Sequence, residues 1–136
     1  MTDEERSVIA YRMARAHEAI DEAKLLFDAS HTNSYVNRLY YACFYAVSAL
    51  LLFKNISTNK HGYLRSLLHR EFVKTGVIPK EMGKHFDLLF SSRQEGDYAD
   101  LVVFKAEEVA GWLVQTQTFV SHIETLISNL LEETKE

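Results

Sequence analysis

The sequence is poor in residues that staple, bend or break a chain: one cysteine, one proline, one tryptophan and five glycines in 136 residues. The single cysteine, Cys43, excludes an internal disulfide framework and any multi-cysteine metal site, and it fits a reducing, cytoplasmic setting. There is no glycine-rich phosphate loop, no nucleophile elbow and no paired-carboxylate motif. The opening residues, MTDEERSVIA, are acidic and hold neither an apolar core nor a small-residue cleavage site, so no signal peptide is expected. Long hydrophobic runs are scarce too. The longest, Leu39 to Phe53, covers 15 residues, is interrupted only by Ser48 and is bounded by Arg38 and Lys54. A membrane-spanning helix takes about 20 apolar residues, so this run reads as a core helix and no membrane partner is expected.

What is present describes a globular chain. The composition is 47% hydrophobic and 25% charged, and the length suits one domain, residues 1–136, with a substantial core. The net charge of −4 hides an asymmetry. From Lys54 to Lys84 seven basic residues face two acids, Glu71 and Glu81, whereas residues 94–136 hold nine acids against Lys105 and Lys135. The basic middle is either solvated helix surface or a face that meets a phosphate backbone or an acidic partner.

Helical periodicity runs through most of the chain. Ile9, Met13, Ala16, Ile20, Ala23 and Phe27 recur at spacings of 4 and 3, one face of a long first helix. Asp28 to Asn33 is a break rich in capping residues, and a second helix from about Ser34 to Lys54 is apolar nearly all round. A third helix carries Leu64, Leu67, Leu68 and Phe72, with Gly76 as its C-terminal cap. Pro79 suits the first turn of a fourth, whose stripe of Met82, Phe86 and Leu89 continues into Arg93 and which Gly96 is expected to end. The fifth, from about Phe104, shows Val109, Trp112, Thr116, Phe119, Ile123, Leu126 and Leu130. The expected fold is all-α, an up-and-down bundle of about five helices.

Few residues in this pattern carry chemistry. His61, Arg65 and His69 fall at i, i+4 and i+8, a basic stripe or ordinary helix surface; without a carboxylate to complete a ligand set, no metal is expected. Tyr35, Tyr40, Tyr41, Phe44 and Tyr45 read first as core or subunit interface, and second as a base-stacking surface. Arg93 is the exception. Its place on the apolar stripe points a cation inward, where it must be paired or used. Asp97 is placed to hold it, Tyr98 offers a hydroxyl nearby, and an arginine held in a groove is a natural phosphate binder.

Three stretches together, SYVNRLYYACFYAVSALLLF, KHGYLRSLLHREFVKTGVIP and SSRQEGDYAD, resemble the HEPN superfamily, and specifically its small stand-alone bacterial and archaeal members. The resemblance covers roughly residues 5–130 and implies a bundle of four to five helices that forms a homodimer. It also implies pairing with a minimal nucleotidyltransferase in a toxin–antitoxin system, and no cofactor. Many relatives of this kind are metal-independent ribonucleases whose motif is an arginine followed a few residues on by a histidine. The arginine steadies the phosphate and the histidine moves a proton at the ribose 2′-hydroxyl.

Arg93 matches the motif's arginine, but Tyr98 stands where a histidine is expected, and the next histidine is His122. A phenol is a poor base at neutral pH. Three readings follow. One is an endoribonuclease in which Arg93 binds the scissile phosphate and either Tyr98 or a histidine recruited by folding, such as His61, His69 or His85, assists catalysis. The second is a cleft that binds RNA or a nucleotide through Arg93, Asp97, His61 and Arg65 without cutting. The third is a dimeric interaction protein. Partners in some related pairs modify a tyrosine near this motif, which makes Tyr98 a candidate for such control.

Overall fold

Six helices, described over residues 1–134 in a computed structural model, account for most of this chain, and no strand occurs among the described residues. They are α1 (Asp3–Asp28), α2 (Thr32–Leu51), α3 (His61–Leu68), α4 (Lys80–Tyr98), the single turn α5 (Ala106–Val109) and α6 (Trp112–Glu133). The expected all-α bundle of about five helices is therefore present, with α5 as an extra turn leading into α6.

Local chemistry sets the helix ends. Thr2 and Glu5 form a reciprocal capping box at the start of α1, each side chain accepting the other's backbone N–H at 3.0 Å, and Asp3, Glu4 and Glu5 favour the positive end of the dipole. At the other end Ser30 adopts the left-handed conformation (φ 66°), and the Ser30 and His31 N–H groups return to the Phe27 and Leu26 carbonyls. A 3₁₀ turn, Leu52–Lys54, closes α2. The α3 helix runs on through a wider π-type turn, His69–Val73, where Lys74 N–H reaches the His69 carbonyl at 2.8 Å. Gly76 then takes φ 83°, as expected of a cap, and Pro79 stands at the head of α4.

The hub is α2. Tyr35, Val36, Leu39, Tyr40, Cys43, Val47 and Leu50 are buried, and the helix packs against α1, α4 and α6. The stretch Thr32–Lys54 is long and apolar enough to cross a membrane by composition, yet 67% of its most apolar window lies inside the protein. It is a core helix. Burying each large side chain contributes about 1.5–3 kcal/mol, so the apolar circumference of α2 is a main source of stability.

One helix end departs from expectation. Gly96 does not terminate α4, which continues to Tyr98. The glycine is there for space: a Cβ at this position would meet the Phe104 ring at 2.8 Å. The capping-type residues Thr32 and Asn33 likewise do not cap α2 with their side chains. They clamp the loop after α4. Thr32 Oγ1 donates to the Phe104 carbonyl at 2.6 Å, while Asn33 accepts from Phe104 N–H and donates to the Val102 and Gly96 carbonyls. This clamp fixes the C-terminal end of α4, where the candidate site lies.

Candidate functional site at the α2–α3–α4 junction

The inward stripe of α4 does deliver Arg93 to the interior. Phe86 and Leu89 are fully buried and Arg93 is 6% exposed. Its guanidinium carbon lies 4.9 Å from the Tyr40 ring centroid and 5.8 Å from those of Tyr41 and Tyr98, so three phenol rings surround the cation. Such contacts recover part of the lost hydration, on the order of 1 kcal/mol each. The polar side is thinner. Asp97 Oδ2 stands 3.7 Å from Arg93 Nη1, too long for a hydrogen bond, and accepts a 2.9 Å bond from Asn37 Nδ2. Arg93 Nε is buried with no partner, and no hydrogen bond joins this guanidinium to another described residue.

Asn37 organises this end of α2. Its Oδ1 accepts two bonds from Arg38, at 3.1 and 2.8 Å, while Arg38 also reaches Glu22 and lies 5.0 Å over the Tyr41 ring. Tyr41 therefore has a guanidinium from each of two helices near it.

Beside Tyr40 stands His61, the first residue of α3. Its Nδ1 is 2.7 Å from the Tyr40 hydroxyl, and its ring stacks on Phe44 at 4.6 Å and lies edge-on to Tyr41 at 5.8 Å. Burial first, and then the charge of Arg93, hold its pKa below the ordinary value, so the imidazole is neutral at physiological pH. Burial raises the Tyr40 phenol pKa, with Arg93 only partly offsetting it, and that hydroxyl keeps its proton.

The structure separates the rest of the basic stripe from this centre. Arg65 and His69 both engage Asp87 Oδ1 at 2.9 Å, and Arg65 lies 5.0 Å over Phe90. Tyr98 is 76% exposed and makes no hydrogen bond to a described residue; its ring lies against Arg93. His85 is not recruited. It points into the core, bonded to Thr116 Oγ1 at 2.9 Å, and burial lowers its pKa to about 4. Burial pushes the Cys43 thiol pKa up, leaving it unreactive. No group of three or more His, Cys, Asp or Glu side chains able to hold a metal occurs among the described residues.

Of the residues read from the sequence, Arg93, Asp97, Tyr98 and His61 thus meet around Tyr40 and Tyr41, while Arg65 lies one ring away, across Phe90. Asn37 and Arg38 went unread, and so did the Tyr40 hydroxyl. The signal was present: Asn33, Asn37, Tyr40 and Phe44 fall at 4, 3 and 4, a polar-to-aromatic stripe along α2.

Comparison with known proteins agrees with this architecture. A 45% identical relative from Thermotoga maritima, named "UPF0332 protein", aligns over 128 residues, 94% of this chain and 97% of its own. A Methanocaldococcus jannaschii protein named "Putative toxin MJ0142" is 29% identical over 107 residues, covering 79% of this chain and 73% of its own length. A Gloeobacter violaceus relative, another "UPF0332 protein", is 33% identical over 100 residues, 72% of this chain and 75% of its own. The family pattern described as "HEPN domain" matches residues 9–126, a span that takes in the α2 hub, His61 and the Arg93 corner together. By that match this chain belongs to the HEPN domain family.

Proposed function

We propose that Arg93 holds a phosphate group of an RNA or a nucleotide, in a homodimeric cytoplasmic protein that forms the helical half of a toxin–antitoxin-like pair with a minimal nucleotidyltransferase. One observation carries the binding reading. Arg93 is a permanent cation, 6% exposed, with five N–H donors and no hydrogen bond to a described residue. A buried guanidinium left so underused is costly, and an oxyanion is the ligand that would repay it. The pairing reading is supported by the family resemblance and by the toxin names of two relatives, both from Methanocaldococcus jannaschii. Cleavage has less support, because Tyr98 makes no hydrogen bond to a described residue that could draw off its phenol proton.

The test is binding of a fluorescently labelled single-stranded RNA to the purified protein in excess chelator, with Arg93→Ala alongside. Loss of one charged contact should weaken binding roughly tenfold or more. The helical circular dichroism should be unchanged and the RNA should stay intact. Equal binding by the variant overturns the phosphate reading.

The interaction-protein reading has its own observation: Tyr98, whose ring faces Arg93, and Leu101 and Val103 in the loop that follows all expose large apolar side chains. If Arg93 instead completes a subunit contact, Arg93→Ala shifts the molar mass in light scattering and leaves RNA affinity per subunit alone. The pairing is checked by co-expression, where a stoichiometric complex with a minimal nucleotidyltransferase from the same genome is expected.

A further inference from the structure

His61 adds something the motif arginine does not supply. The Tyr40 hydroxyl is buried, and its hydrogen-bond partner among the described residues is His61 Nδ1, at 2.7 Å. If the phenol donates, Nδ1 is the acceptor and the single proton of the neutral imidazole sits on Nε2. The reverse arrangement would leave a buried hydroxyl proton without an acceptor, which is the costlier choice. The protonated phenol therefore fixes the tautomer. His61 Nε2 has no partner among the described residues, and the residue remains partly exposed.

Two unused donor groups consequently share one floor. The Arg93 guanidinium and the His61 ring both lie within 6 Å of the Tyr40 and Tyr41 ring centroids. The Asp97 carboxylate beside Arg93 stands 3.7 Å away and accepts its 2.9 Å bond from Asn37 instead. A ligand that could engage both donors, bordering the same two rings, is one with several oxygens on a single centre.

We propose that His61, oriented by Tyr40, is the second prong of this site, its Nε2–H gripping a non-bridging oxygen of the same phosphate group that Arg93 holds. This rests on the phosphate reading of Arg93 and sharpens it. It also assigns the histidine a role different from acid–base work. With its lone pair committed to Tyr40, His61 has none with which to draw a proton from a hydroxyl. The site binds the phosphate and leaves its ester bonds alone. Tyr40 is a positioning residue, since it acts through His61.

Calorimetric titration at pH 7.5 with inorganic phosphate, AMP and a short single-stranded RNA separates the outcomes. His61→Ala should weaken binding of whichever phosphate source is preferred by roughly tenfold, the effect of losing one well-placed donor to a charged acceptor. His61→Gln, whose amide nitrogen can take the Nε2 position, should retain most of the affinity. Tyr40→Phe should lose a few-fold and release the tautomer, read as a change in the ¹⁵N shifts of the His61 ring. RNA bound more tightly than AMP and inorganic phosphate places the phosphate in a polymer; the reverse order places it in a small ligand. Wild-type affinity in His61→Ala, with affinity lost in Arg93→Ala, overturns the role of His61 and leaves that of Arg93 standing. No phosphate binding by the wild-type protein overturns both. A wild-type His61 protonated on Nδ1 rather than Nε2, a readout that needs no variant to fold, overturns the tautomer and with it the proposal. So does RNA cleavage that disappears in His61→Ala.

Discussion

His85 and Arg93 leave α4 about two turns apart, are 7% and 6% exposed, and each has a buried nitrogen without a partner. The resemblance stops there. His85 meets Thr116, whose hydroxyl also lies beside the Cys43 thiol, and the imidazole answers burial by giving up its charge, its pKa falling to about 4. Its bare Nδ1 is then one idle acceptor in a neutral core. Arg93 has no such escape, because a guanidinium does not deprotonate in a protein. Burial therefore means different things in the two places. Around His85 it is compatible with a finished core; around Arg93 it leaves a debt of hydrogen bonds beside a neutral donor and an exposed tyrosine.

The comparison can be tested by pH first, where the largest effect is expected. The folded pKa of His85, about 4, lies below the ordinary histidine value of 6.5. Above about pH 6.5 neither the folded nor the unfolded state is protonated, and nothing is lost. Below it the unfolded chain takes up the proton first, so stability falls as pH drops towards 4, by about 3 kcal/mol in total. Urea unfolding at pH 7 and pH 4 should show this loss in wild type and not in His85→Leu; parallel losses in both would mean that His85 is not held neutral by the fold. Thr116→Val comes next. It removes the partner of the His85 ring, and the cost should be about 1–3 kcal/mol, read from the urea midpoint. The smallest effect is also the most telling. Arg93→Met exchanges an underbonded cation for an apolar side chain, so stability should stay level or rise by about 1 kcal/mol, seen as a higher thermal midpoint, while phosphate binding is lost. A marked fall in stability would put Arg93 with His85, as structure rather than site.

The fold was legible because its signal is periodic. The 4-3-4 stripe of Met82, Phe86, Leu89 and Arg93 placed the arginine inward, and the all-round apolarity of Leu39–Phe53 placed α2 at the centre. What periodicity could not carry was contact between elements. Gly96 read as a helix stop, the usual local meaning of a glycine, because the Phe104 ring that excludes a Cβ there comes from the following loop. His61 read as part of a stripe with Arg65 and His69, yet Tyr40 claims the first while Asp87 claims the other two. Asn33 read as part of a capping break and Asn37 carried no reading; their roles appeared only with the Phe104 and Asp97 partners that lie 71 and 60 residues further on. Spacing reveals a face, and chemistry depends on what that face meets.

That assembly from distant segments has a consequence for how the protein comes into being. The helical pair α1–α2 is complete in sequence once Leu51 has been made, but Tyr40 must wait for His61, and both must wait for Arg93 and Asp97. A nascent or prematurely ended chain that stops short of residue 93 can carry the aromatic floor and its imidazole, but never the cation they surround. Ribosome-bound fragments of increasing length should therefore acquire helical structure well before they acquire affinity for phosphate.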